Sequence, residues 1–597
     1  RLEREGHALP TPRGFKVWGL LAYMLCAERP PTRDELVSQL FAEAGDPSGA
    51  LRWNLSALRR ALPNVEVGGD PLTLVTPAGT FVDVHAVHAG SWSEALAVPG
   101  LERELLEGMS FSASPAFEIW LLTQRRHLGA ITEAVLREAA LARLGAGDAR
   151  GAADLASRLV SLNPLDENFQ ALLVRSLALN GDGVAAARQV ARCKELFRRE
   201  LAIDPSPAVA AAALAYASSP TAAHVSGRAA AHAQLEAGEA AIAAGALEAG
   251  LQCLRRAVDD ARAACAVELQ AQALVALGSA LVHAARGRDE EAAAALHEGL
   301  ALADRSDLAL TAAAAARELG YVEFLRARYE RAEQWLARAT ELADDDRAER
   351  GRIGSVRGSA LSDIAQYGRA EAVLREAMDL STEAGDTRKA SYSLSMLGRI
   401  HLLRGEFDLA ARALDGSLEA ARADNWAAFT PWPDALRAEV DLLTGDVDAA
   451  AGRYERAFAL GCQLGDPCWE GIAARGIGLV TAARGGGADR AVDWFGDARR
   501  RCARLPDGYV WVEAYILDAL CSVAVDAGLG GARVWIDELA SLAARTGMRD
   551  LAVRAYVHQA RLGDDAAHTA ARMLARGIDN PALTALLDGR AVAAPPR

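Results

Sequence analysis

The chain has 597 residues, 51% of them hydrophobic and 24% charged, a globular composition that argues against long disordered stretches and leaves room for several domains. Its formal charge is -14, and its eight cysteines form no CxxC pair, so neither a disulfide framework nor a zinc site is expected. No apolar run reaches the roughly 18 residues of a membrane span and no signal-peptide core is present, which points to a reduced, cytoplasmic setting.

The acidic bulk is unevenly spread. Residues 1–64 hold nine Lys/Arg against seven Asp/Glu, a net of +2, and the remainder carries -16. Any contact with nucleic acid therefore belongs at the front. The chain opens on Arg1 rather than a methionine, which is compatible with a trimmed front end.

"FKVWGLLAYMLCA" (15–27) reads as an apolar helix closed by Pro30-Pro31. "TRDELVSQLFA" (32–42) opens on a capping box, with Thr32 at the N-cap and Glu35 three residues later. "PSGALRWNLSALRRALP" (47–63) then holds three arginines, four leucines and no acid, with Asp46 as N-cap and Pro47 at the first helical position. At 100° per residue, Leu51, Leu55, Leu58 and Leu62 form one buried stripe. Gly49, Trp53, Ser56, Ala57 and Arg60 point away from it, with Arg52, Asn54 and Arg59 on the flanks. A helix that enters a major groove needs this division: hydrogen-bonding groups toward base edges and cations reaching phosphates.

Past Pro63 come three β-like runs, "VEV" (65–67), "LTLVT" (72–76) and "TFVDV" (80–84), separated by turn residues. Three helices followed by a small hairpin is the layout of a winged helix-turn-helix. The candidate DNA-contacting residues are Arg52, Trp53, Asn54, Ser56, Arg59 and Arg60, with Arg60 toward bases and Arg52 and Arg59 toward phosphates. The wing is bare of cations, with no Arg or Lys from 61 to 102.

A long helix is expected from Ser114-Pro115 to about Leu144. Beyond it, Ala152 and Ala186 occupy corresponding places 34 residues apart, the tetratricopeptide length. "SSPTAAHVSGR" (218–228) breaks the pattern as a linker. From there on the sequence repeats itself: "FLRARYERAEQWL" (324–336), "DIAQYGRAEAVL" (363–374), "LLRGEFDLAARAL" (402–414) and "LLTGDVDAAAGRY" (442–454) each read as helix end, tight turn and second helix. Aligned on Ala292, Ala332, Ala370, Ala410, Ala450 and Ala491, the spacings are 40, 38, 40, 40 and 41 residues. Such hairpins cannot bury an apolar face alone and must stack into a solenoid.

Residues 7–64 resemble the OmpR-type winged helix. Residues 115–209 resemble the bacterial transcriptional activator domain of SARP-type regulators (Streptomyces antibiotic regulatory proteins), through "FEIWLLTQRRHL" (117–128), "LNPLDENFQALLVRSLA" (162–178) and "FRRELAIDPSP" (197–207). The resemblance implies sequence-specific promoter binding, contact with RNA polymerase and dimers on direct repeats. This sequence departs from the family in the small N-terminal sheet, present at most as a remnant in "HALPT", and in Trp53, Ala57 and the wing.

The fold class expected is mainly α. Its parts are a winged helix-turn-helix (1–89), a tetratricopeptide-like activator domain (90–217), a linker (218–228) and a repeat solenoid (229–597). No P-loop, HExxH or GxSxG motif occurs, so no enzyme, cofactor or metal is expected; His85 and His88 read as a surface pair at a strand end. Trp426, Trp432, Trp469, Trp494, Trp511 and Trp535 are candidates for a ligand or partner pocket in the solenoid, with core packing as the plainer explanation. The function expected is a DNA-binding regulator whose solenoid takes a protein, peptide or small-ligand signal. The alternative is a scaffold whose winged helix no longer touches DNA.

Overall fold

The computed structural model describes residues 2–589 except 5, 6, 10, 13, 28, 63, 78, 90, 91, 215–226, 244, 286, 506 and 507. The linker expected at 218–228 lies outside the described residues up to 226. Two compact units divide the chain, Arg1–Val135 and Leu136–Arg597.

In the first unit, helix α1 spans Phe15–Cys26, α2 spans Arg33–Leu36 and continues through a wider turn over Val37–Phe41, and α3 spans Pro47–Ala61. The caps form as the sequence dictates. Thr32 accepts from the Glu35 amide while the Glu35 carboxylate accepts from the Thr32 amide, and Asp46 accepts from the Gly49 amide at 2.8 Å. Leu51, Leu55 and Leu58 are buried with Val17, Leu20, Leu36, Leu40 and Phe41; Leu62, at the helix end, is only partly covered. The core is completed by Phe111, Phe117 and Leu121, so the start of the long helix Pro115–Gly145 is part of the unit that holds α3.

Two short antiparallel ladders flank these helices. Strands β1 (Glu3–Arg4) and β2 (His7–Ala8) form the N-terminal remnant, and β3 (Glu66–Gly68) pairs with β4 (Thr73–Val75) in the wing. "TFVDV" is not a third strand. It has no strand to pair with, and Asp83, whose carboxylate accepts from the Val84 amide, starts a helix at Asp83–Ala89. His85 and His88 therefore sit on a helix rather than at a strand end, with His85 Nε2 2.8 Å from the Leu25 carbonyl.

The second unit is a stack of helical hairpins. Helices Ala149–Leu162, Glu167–Leu179 and Gly183–Leu201 come first, and Arg228–Ala243 begins the long-period array that runs to Leu587. Ala292, Ala332, Ala370, Ala410, Ala450 and Ala491 are all fully buried, each in the first turn of the second helix of its hairpin. A complementary series escaped the alignment. Gly238, Gly278, Gly320, Gly358, Gly398 and Gly478, on the first helices, face Leu254, Leu296, Leu336, Leu374, Leu414 and Phe495 so closely that a Cβ would lie 2.5–3.0 Å from the opposing side chain. Two helices of one hairpin approach that closely only if one contributes no side chain. Left-handed residues such as Ala327 (φ 56°) and Gly405 (φ 76°) close the turns between them. Among the described residues no helix is long and apolar enough to cross a membrane.

Candidate functional site

The outer face of α3 divides as its periodicity requires, with one exception. Arg52, Trp53, Ser56, Arg59 and Arg60 are exposed, and Trp53, at 58%, is conspicuous among exposed aromatics. Asn54, expected on the flank, is buried at 6%, and its amide donates to the Ala50 carbonyl of its own helix at 2.8 Å. It is withdrawn from the outward set because it lies on the flank of the leucine stripe opposite Arg52 and Arg59, and that flank is covered.

The remaining polar groups have definite local roles. Ser56 donates to the Arg52 carbonyl at 2.9 Å, a bond easily exchanged for one to an incoming group. Among the described residues Arg60 reaches only the Ser56 carbonyl, at 3.3 Å. Arg52 lies 3.8 Å from Asp46, an exposed pair of little energetic weight. Arg59 differs: Nε and Nη2 both donate to the Val67 carbonyl, at 3.0 and 2.7 Å. That fork fixes β3 against α3, so Arg59 positions the wing rather than standing free for a phosphate.

The six solenoid tryptophans do not converge. Trp432, Trp469 and Trp511 meet, with Trp432 5.3 Å from Trp469 and 6.3 Å from Trp511 between ring centroids. Trp426 stacks on Phe429 at 4.2 Å, and Trp494 lies edge-on to Phe458 at 5.8 Å. Trp535 packs against its own helix start at Gly531. A single pocket lined by all six is therefore not formed.

Tyr509, which sequence reasoning passed over, lies 6.2 Å from Trp432 and 6.0 Å from Trp511 between ring centroids. Its hydroxyl accepts from Arg399 Nη1 at 2.7 Å and donates to Asp363 at 2.9 Å, while Arg399 Nη2 holds Asp363 at 2.5 Å. Tyr329 also donates to Asp363, at 3.0 Å, and the Arg399 guanidinium lies 4.3 Å from the Trp511 ring. Arg399 and Asp363 are fully buried. Burial holds the Asp363 carboxyl above its ordinary range, against the pull of Arg399.

This pair belongs to a series that runs mostly along the first helices, with Glu290 on the second helix of its hairpin. Glu290 pairs with Arg326, Asp363 with Arg399, Glu439 with Arg475 and Asp518 with Arg554, each 36 residues apart. Tyrosines join the network: Tyr515 donates to Glu439 at 2.9 Å, and Tyr367 donates at 2.9 Å to Asp550, 183 residues away, which also accepts from Arg554. The stack is thus cross-bonded by its own side chains. A regular acid-to-arginine spacing of 36 is visible in the sequence; the tyrosine partners are not.

At the start of this unit, Arg137 is buried against Glu290 at 2.8 Å and against Glu323, and Glu138 lies 3.3 Å from His297. Arg137 and Glu138 thus belong to the ion-pair network of the second unit.

Residues 83–215 match the family described as "Bacterial transcriptional activator domain". No curated protein matches the chain. Among solved structures, a Rap protein complexed with competence and sporulation factor aligns at 14% identity over 61% of this chain and 99% of that one, with a TM-score of 0.45. Yeast Tom70 aligns at 12% identity over 79% of this chain and 95% of that one, with a TM-score of 0.31. The APC/C hetero-tetramer Cut9-Hcn1 aligns at 13% identity over 76% and 96%, with a TM-score of 0.30.

Proposed function

We propose that the chain is a DNA-binding transcriptional regulator in which α3 reads a promoter and the solenoid receives the signal that governs it. One observation carries this reading. A capped helix-turn-helix offers solvent a face made of Arg52, Trp53, Ser56 and Arg60, on a chain whose following segment is a transcriptional activator domain. Arg60 has the reach for the bidentate contact arginine makes to guanine, and Trp53 offers a flat apolar face to a thymine methyl. Arg59, bound to Val67, sets the wing rather than the sequence preference.

The solenoid's role is the receiving one because it is the largest surface on the chain. Trp432 and Trp511 are buried and packed against Tyr509, so a ligand reaching them has to displace packed side chains. Trp426 and Trp494, half-buried in separate places, are the more accessible anchors for a peptide or protein.

The test is binding of the full chain to DNA upstream of its own gene across a salt series. The activator segment continues past 135 into the second unit, so a fragment ending near 217 would strip it of packing. Affinity should fall steeply with salt, as counterions released from phosphates drive association. Absence of binding even at low salt would leave the scaffold reading, which the cation-free wing favours.

A further inference from the structure

Helix Gly183–Leu201 in the activator segment carries a row of cations that the signal-receiving and base-reading roles leave unused. Its buried side is Ala186, Gln189, Cys193 and Phe197. On the opposite side Arg188, Arg192 and Arg199 fall within about 40° of one another and span roughly 16 Å along the axis. Lys194 and Arg198 stand farther round the helix, about 120–160° and 80–120° from that row, along a shallow groove that also includes Ala191 and Glu195. The helix holds five cations and two acids in a chain of net charge -14. Arg198 is paired with Asp204 and Arg199 with Glu200, while Arg188 and Arg192 are exposed and make no ion pair among the described residues. Lys194 is exposed and acts on Asp204 only electrostatically.

We propose that this face binds DNA phosphates and supplies the backbone contacts that the wing lacks. The inference rests on the DNA-binding reading above. Two observations favour phosphate over an acidic protein surface. The exposed apolar side chains of this helix, Val184 at 63% and Leu201 at 45%, stand at its two ends and none is exposed between Arg188 and Arg199, whereas protein interfaces centre on buried aromatic or aliphatic anchors. In addition, the segment from 61 to 102 offers no Arg or Lys, so a reader built only on α3 would hold few phosphates for so acidic a chain. Phosphate contacts position a protein on the duplex without reading it. The face therefore contributes affinity equally on all sequences.

The experiment compares the full chain with the double variant Arg188→Ala, Arg192→Ala on the promoter duplex and on an unrelated duplex of equal length. Each phosphate contact adds about 0.9 to the slope of log K against log salt, so the double variant should lose about 1.8 from that slope. Its affinity should drop by the same factor on both duplexes, with its helical signal and melting unchanged because the two side chains are exposed. Arg188→Lys with Arg192→Lys should keep the slope, since charge and not fork geometry is required. An unaltered slope in the alanine variant, with promoter binding intact, overturns this proposal and leaves the α3 reading standing. Loss of polymerase binding at an unaltered slope would likewise overturn it, in favour of a protein surface. If the wild-type chain binds neither duplex at low salt, both readings fall together.

Discussion

Arg399→Met tests whether this cross-bonding holds the solenoid together. Arg399 is fully buried, donates to Asp363 and Tyr509, and lies over the Trp511 ring. Methionine keeps much of the side-chain length but leaves Asp363 with only the tyrosine hydroxyls of Tyr329 and Tyr509 as partners. Stranding one member of a buried ion pair costs about 3–5 kcal/mol. With an unfolding entropy of ~2 cal/mol/K per residue, a unit the size of Leu136–Arg597 has ~1 kcal/mol/K at its midpoint, so Tm should fall by about 3–5 °C. The assay is calorimetry of the wild type, Arg399→Met, Asp363→Asn and the double variant. Asp363→Asn should recover most of the loss, because an amide needs no counter-charge. The pH dependence has a definite sign. Asp363 has a raised carboxyl pKa when folded, so the folded state keeps its proton to higher pH, and ionisation costs stability as pH climbs above the ordinary value of 3.8. Without Arg399 that cost grows, so the gap between variant and wild type should widen from acid to neutral pH. A melt within about 1 °C of wild type at neutral pH, or losses that simply add in the double variant, would refute the reasoning.

Three further outcomes are expected. Gly398→Ala should destabilise the array by about 1–3 kcal/mol, since its Cβ would lie 2.6 Å from Leu414 Cγ; Gly452→Ala, facing only the end of Arg456, should gain up to about 1 kcal/mol, and melting curves of the two would separate the cases. Leu55→Asp, which puts an unpaired charge among Leu20, Leu36 and Phe41, should abolish cooperative melting of the first unit while the solenoid's transition persists. Arg60→Ala should cost about 1–3 kcal/mol on the preferred DNA sequence only, whereas Arg59→Ala, by freeing the wing, should weaken all sequences alike in a binding titration.

The local layer of this protein is written in its sequence. The capping box at Thr32, the Asp46 cap, the Leu51–Leu55–Leu58 stripe and the run of buried alanines near every fortieth residue follow from helical periodicity, which needs only near neighbours. The glycines from Gly238 to Gly478 were equally readable, for the same reason. What the tertiary structure decided is which distant groups meet. Arg59 finds the Val67 carbonyl only once the wing folds back on α3, and no side-chain pattern marks a backbone acceptor. Tyr509 reaches Asp363 across 146 residues, and Tyr367 reaches Asp550 across 183. Those separations are set by how the hairpins stack upon one another, a sum of small rotations that no single repeat encodes, and so these tyrosine–aspartate contacts had no signature in the chain itself.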